Sequence, residues 1–187
     1  MPGGALPVTG LILAGGQGSR MGGRDKGLVK YRGRALVDRV IERIAPQVDE
    51  LLISANRNLD DYARRGRRVL PDALPDFPGP LAGVLAGLQA ASHEWLLVVP
   101  CDMPCLPADL ASRMMAARQG RAIVIAHDRQ RTHPAVMLIR ADLAEALADY
   151  MASGRRSVHG FQESVDFALA SFDPAEMINV NTLAEVG

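Results

Sequence analysis

Apolar residues recur along this chain in short blocks that alternate between two periodicities. Residues 8–14 (VTGLILA) form a nearly unbroken apolar run ending in glycines, the pattern of a strand buried on both faces. Over residues 36–45, Leu36, Val40, Ile41 and Ile44 stand at helical spacing, and Pro46 closes the pattern. Strand patterns return at residues 48–54 and 67–70, the second followed by a loop with Pro71, Pro75, Pro78 and Pro80. Residues 81–92 predict a helix in which Gly83 and Gly87 leave room for close approach to a sheet. Residues 95–99 (WLLVV) are the clearest buried strand and stop at Pro100.

Beyond that point the spacing predicts a helix over 107–118, with a proline in its first turn and Asp109 near its positive end. Strands at 121–126 and 135–139, a helix over 142–151, and late strands at 165–172 and 178–180 complete the pattern. Alternating strands and helices predict an α/β fold: a single Rossmann-like three-layer domain over residues 1–187, its mostly parallel sheet covered by helices on both faces. No internal repeat, linker or low-complexity tract suggests a second domain. Ligands in such folds bind at the carboxyl ends of strands, where strand order switches, so residues just after strands carry the functional question.

Composition narrows the class. With 187 residues and a mass of 20.0 kDa, the folded chain should expose about 8,700 Å² of the ~29,000 Å² it exposes unfolded. That is ample burial for one core. The 48% apolar and 22% charged content is ordinary for a soluble globular protein. The 21 basic residues balance 21 acidic ones, which argues against a nucleic-acid binder working through a global positive field, and 4% aromatics weaken any base-stacking model. No apolar run reaches the roughly 18 residues of a membrane span, and residues 1–10 lack the pattern of a secretory signal. Two cysteines, Cys101 and Cys105, are too few for a disulfide scaffold and are read as packing residues. A soluble cytoplasmic domain is expected, with neither nucleic acid nor membrane as a partner.

The charge is unevenly placed. Nineteen of the basic residues are Arg, and the two lysines are Lys26 and Lys30. Between residues 15 and 34, Arg20, Arg24, Lys26, Lys30, Arg32 and Arg34 face Asp25 alone. This segment follows the first strand and reads GGQGSRMGGRDKG over 15–27. Its backbone amides can wrap an anion, and Arg20 and Lys26 add charge. The dinucleotide fingerprint fails because Met21 occupies its third glycine, and the P-loop fails because Lys26 lies between Asp25 and Gly27. A polyphosphate site without Ser or Thr metal ligation is one reading, and an arginine-rich surface loop is the other.

A second candidate is Asp102, just past the longest buried strand. A carboxylate there is a hard oxygen ligand suited to Mg²⁺, which takes one or two carboxylates plus phosphate oxygens and water. A turn or capping role beside Pro104 and Pro107 is the alternative. His93, His127, His133 and His159 form no H-x-x-x-H pair, and no G-x-S-x-G elbow occurs.

The run LILAGGQGSRMGGRDKG, with PGPLAG at 78–83, VPCDMP at 99–104, THP at 132–134 and NVNT at 179–182, resembles the molybdenum cofactor guanylyltransferase (MobA) family over nearly the whole chain. The resemblance implies transfer of GMP from GTP to Mo-molybdopterin, yielding the guanine dinucleotide cofactor and pyrophosphate, with Mg²⁺ as cofactor. It further implies transient contact with molybdenum-cofactor biosynthesis proteins or target molybdoenzymes. By motif, the backbone of Leu13, Ala14 and Gly15 would lie against the nucleotide and Lys26 on its phosphates. Asp72 would sit in the guanine pocket, where a carboxylate accepts well from the N2 amino group. Asp102 would hold both GTP and Mg²⁺. Family members often carry Asn where Ser54 stands, and Asn56 follows two residues later, so a base or ribose contact is expected from this stretch.

The chemistry follows from charge. A terminal phosphate of the acceptor is already anionic, so no strong general base is expected, consistent with the absence of a histidine–carboxylate arrangement in the sequence. Arg20, Lys26 and a metal on Asp102 are expected to neutralise developing charge. His133, Arg155, Arg156, Asn179 and Asn181 are candidates for the pterin side, with Asn181 alternatively a second metal ligand and the arginine pair alternatively a solvated helix end. Cytidylyl transfer to the same cofactor, nucleotidyl transfer to a sugar phosphate, a non-catalytic nucleotide-binding adaptor and a dinucleotide-dependent oxidoreductase are the competing readings.

Overall fold

Every residue of β1 (Val8–Leu13) is buried, as a strand flanked on both sides and covered on both faces must be. The computed structural model describes residues 6–14, 25–72 and 79–180. β1 pairs in parallel with β4 (Glu50–Ser54) and with β6 (Trp95–Pro100), and β5 (Arg68–Leu70) adds in parallel outside β4. Beyond β6 come β8 (Thr132–Arg140), β7 (Ile123–His127) and β9 (Ala168–Ser171), giving the order β5-β4-β1-β6-β8-β7-β9. β8 is antiparallel to both neighbours, while β9 is parallel to β7, so β8 alone opposes the other six. The sheet is thus mostly parallel, as predicted.

The chain moves outward from β1 to β4 and β5, then returns to the other side of β1 with β6. The strand order therefore switches between β1 and β6. One helical layer holds α1 (Leu36–Ile44) and α4 (Leu110–Ala116), whose Val37, Val40, Ile44, Leu110 and Met114 cover Ile12, Ile53 and Leu97. The opposite layer holds α3 (Pro80–Ala90), α5 (Ala144–Ala152) and α6 (Val158–Val165), packed on Leu11, Leu52 and Leu96. The predicted close approach of residues 81–92 is real: a Cβ at Gly87 would stand 2.5 Å from Leu11 Cδ2.

Several boundaries differ from the sequence pattern. The hairpin β2–β3 (Lys30–Tyr31, Arg34–Ala35) and the short α2 (Leu59–Ala63) carry too few apolar positions to register. α6 likewise buries only Phe161 and Gln162, and it takes Val165 from the strand expected at 165–172, which runs over Ala168–Ser171. Residues 107–109 turn rather than start α4, because Asp109 sits at φ −117°. β8 begins three residues before the predicted 135 and so contains Thr132, His133 and Pro134. Residues 178–180 form no strand; they pass Asp102, where Val180 N donates to the Asp102 carbonyl at 2.9 Å. No helix among the described residues is long and apolar enough to cross a membrane.

Candidate active site

The sheet ladder continues one residue past its strands at the carboxyl edge. Ala14 N donates to Ser54 O at 2.8 Å, Cys101 N to Leu13 O at 3.0 Å, and Ala55 N to Leu70 O at 2.9 Å. These bonds fix the backbone that carries Ser54 and Asp102. They also occupy the Ala14 amide, whereas the Leu13 carbonyl keeps a second lone pair. Asp102 is 8% exposed, and its Oδ2 accepts from Lys26 Nζ. Its Oδ1 is buried and has no partner among the described residues. A carboxylate oxygen withdrawn from water and left unmatched is costly, and as a hard donor it suits a divalent cation. Among the described residues no group of three His, Cys, Asp or Glu side chains could hold a metal. One carboxylate fits Mg²⁺ where phosphate oxygens and water complete the shell.

Lys26 is delivered by a rigid support. Asp25 caps the 3-10 turn Lys26–Leu28, accepting from Gly27 N at 3.2 Å. The same carboxylate accepts from Tyr62 Oη at 2.5 Å and Asn58 Nδ2 at 2.9 Å, tying the turn to α2. Burial and the Asp25 carboxylate push the Tyr62 phenol far above its ordinary range, so it stays a donor. A Cβ on Gly27 would overlap Tyr62 Oη, so only glycine permits this contact. Asp25, Asn58 and Tyr62 were not visible as site residues in the sequence, where nothing marks partners 33 and 37 residues apart.

Asp72 forms a second cluster. Its Oδ1 accepts from Ser54 Oγ at 3.1 Å and its Oδ2 from Asn56 Nδ2 at 2.6 Å, while its own N–H donates to Asn56 Oδ1 at 2.9 Å. Ser54 and Asn56 thus aim the carboxylate together. Gly83 of α3 makes room for them: a Cβ there would stand 2.5 Å from Ser54 Oγ and 3.2 Å from Asp72 Oδ1.

Gly15 and Arg20, predicted against the nucleotide and its phosphates, lie outside the described residues, as does Asn181. Asn179 runs beside Asp102, and its Oδ1 is buried without a partner among the described residues. Arg155 stacks 4.2 Å above the Tyr150 ring and donates from Nε to Ser153 Oγ at 2.9 Å; it and the exposed Arg156 lie between α5 and α6. The histidine–carboxylate arrangement missing from the sequence does exist. His133 Nε2 and Asp128 Oδ2 are 2.7 Å apart, brought together by the β7–β8 hairpin. That contact, with the Gln130 and Arg131 amides, lowers the Asp128 carboxyl to about 2.

Comparison with known proteins decides the family. The family model described as a MobA-like NTP transferase domain matches residues 10–165. The chain belongs to this family. A curated molybdenum cofactor guanylyltransferase of Shewanella sp. (strain ANA-3) is 43% identical over 182 residues, covering 95% of this chain and 92% of that one. Its namesake in Acidovorax ebreus (strain TPSY) is 44% identical over 196 residues, covering 96% and 93%. Among solved structures, molybdopterin-guanine dinucleotide biosynthesis protein A of Archaeoglobus fulgidus superposes with a TM-score of 0.79 at 20% identity, covering 95% of this chain and 94% of that one. This last likeness concerns the fold. In this MobA-like domain, Lys26 and Asp102 occupy the switch between β1 and β6, and Asp72 lies past β5 along the same edge.

Proposed function

We propose that the protein transfers GMP from GTP to Mo-molybdopterin, forming the guanine dinucleotide cofactor and pyrophosphate with Mg²⁺. The observation that carries the reading is the Lys26–Asp102 pair at the topological switch, with Asp102 Oδ1 buried and unmatched. Lys26 would bind the triphosphate, and Asp102 would hold Mg²⁺ through that oxygen. Bound there, Mg²⁺ supplies positive charge to the triphosphate oxygens. Asp72, braced by Ser54 and Asn56, suits the donor edge of guanine through its remaining lone pairs. The backbone of Leu13 and Ala14, with Gly15 and Arg20 after them, would flank the nucleotide. Relatives named for the same activity at over 40% identity support the choice of substrates. Both cysteines are free thiols, which suits the reducing cytoplasm, and the product would pass by transient contact to molybdoenzymes or other cofactor-biosynthesis proteins.

The test is pyrophosphate release with Mo-molybdopterin and Mg²⁺, comparing GTP, CTP and UTP. Turnover confined to GTP is expected. Preference for CTP would replace guanylyl by cytidylyl transfer, and no release with any nucleotide would leave a binding adaptor.

A further inference from the structure

β8 runs against its neighbours, so its first residues, not its last, reach the carboxyl edge of the sheet. Val98 of β6 pairs with Met137 of β8, and Asp102 and His133 each lie four residues beyond that pair on adjacent chain segments. There the β7–β8 register slips: Ile125 pairs with Met137, yet Ala126 pairs with His133, leaving Pro134, Ala135 and Val136 as a bulge. Bulges re-aim side chains beside sites. This one is braced, because the Pro134 carbonyl accepts at 2.8 Å from the fully buried Gln162 Nε2 of α6.

The bulge sets His133 against Asp128, with side chains 8% and 6% exposed. Asp128 Oδ1 accepts from the Gln130 and Arg131 amides at 2.7 and 2.9 Å, and Asp128 N donates to Arg131 O at 2.9 Å. Those bonds alone close the turn. With the imidazole proton on Nε2 toward the carboxylate, Nδ1 of a neutral His133 is an acceptor. Nδ1 makes no hydrogen bond among the described residues. Exposed Arg129 and Arg131 flank the turn and give it the positive charge an anionic phosphate needs.

We propose that His133 Nδ1 is the catalytic contact for the attacking phosphomonoester of the acceptor, with Asp128 as its positioning residue. The inference rests on the guanylyl-transfer reading, in which that phosphate is the nucleophile. The O–H bond of the acceptor P–OH breaks as Nδ1–H forms, and its electron pair stays on the phosphate oxygen. That oxygen attacks the α-phosphorus of GTP, and pyrophosphate leaves with the bridging oxygen and its electron pair. The imidazolium, held by Asp128, returns its proton to water after turnover.

Two variants separate chemistry from packing. In His133→Asn the carboxamide occupies the place of Nδ1 but takes up no proton. We expect acceptor KM to stay near wild type while kcat falls about 10²-fold. His133→Ala should also raise acceptor KM, with GTP KM unchanged in both. A kcat in His133→Asn within about twofold of wild type, or equal losses for GTP and acceptor, overturns the proposal. A second readout needs no variant to fold. On titrating wild-type protein with phenyl phosphate, the Nδ1 nitrogen resonance of His133 should shift and those of His93, His127 and His159 should not. No shift at His133 overturns the site. Absence of wild-type turnover with GTP and Mo-molybdopterin would instead overturn guanylyl transfer, and the phosphate titration then decides His133 alone.

Discussion

Lys26 and Asp102, 76 residues apart in the chain, close an ion pair where the strand order reverses between β1 and β6. The lysine arrives on a turn locked by Asp25, and the carboxylate follows a strand whose ladder runs past its end. Each is therefore placed before any nucleotide arrives, which is how electrostatic stabilisation avoids reorganisation during reaction.

Asp102→Ala should lower turnover by about 10²–10³ while the fold persists. Removing the carboxylate takes away its unmatched buried oxygen together with the ion pair, so the two contributions offset and melting should shift by less than about 4 °C. Pyrophosphate release and thermal melting measure the two effects, and normal turnover would remove Asp102 from the reaction.

Asp72→Ala should erase nucleotide preference more than it slows transfer. A lost pair of hydrogen bonds to guanine corresponds to about 1–3 kcal/mol of discrimination, so kcat/KM for GTP should fall roughly 10- to 100-fold. Rates with CTP and UTP should hardly move. Steady-state competition among the nucleotides checks this, and an intact preference for GTP would place base recognition elsewhere.

Gly83→Ala tests the same pocket from behind. The new methyl would meet Ser54 Oγ at 2.5 Å and Leu13 Cδ2 at 3.0 Å, and overpacking of this kind costs about 1–3 kcal/mol. Melting should fall and GTP KM rise, with acceptor KM unchanged. A variant as stable as wild type would show that Ser54 can swing clear.

Acid stability carries the signature of Asp128. Its carboxyl lies at about 2 in the folded chain, below the ordinary 3.8, because His133 and two amides favour the ionised form. The contribution is therefore fully present above pH 3.8 and lost as pH falls through about 2. Comparing melting temperatures of wild type and Asp128→Asn between those values, the difference should shrink as pH drops. A difference independent of pH would mean that the contact adds nothing through ionisation.

Much of the proposed nucleotide side was legible in the linear pattern, and for physical reasons. Asp102 follows the apolar run WLLVV closed by Pro100, and Lys26 stands out because arginine fills nearly every other cationic position. The strand–helix alternation was enough for the layers. Strand direction was not, because an apolar run reads the same in either sense, and β8 is reversed. Asp128 and His133 are only five residues apart, yet their contact depends on a register slip at Ile125–Ala126 that no periodicity encodes. Tyr62 looks like an ordinary core aromatic in the sequence. Its role in holding Asp25 emerges only when α2 folds over the turn.

The reversal of β8 divides the labour of the edge. Ser54 ends the parallel strand β4, and Lys26, Asp72 and Asp102 follow parallel strands in the chain, whereas His133 lies near the start of a strand that enters. The β7–β8 hairpin can thus lengthen, shorten or change composition without altering β1, β4 or β6. If the acceptor meets His133 as proposed, the hairpin is a natural place to graft new acceptor specificity while the strands that precede Lys26, Asp72 and Asp102 stay unchanged.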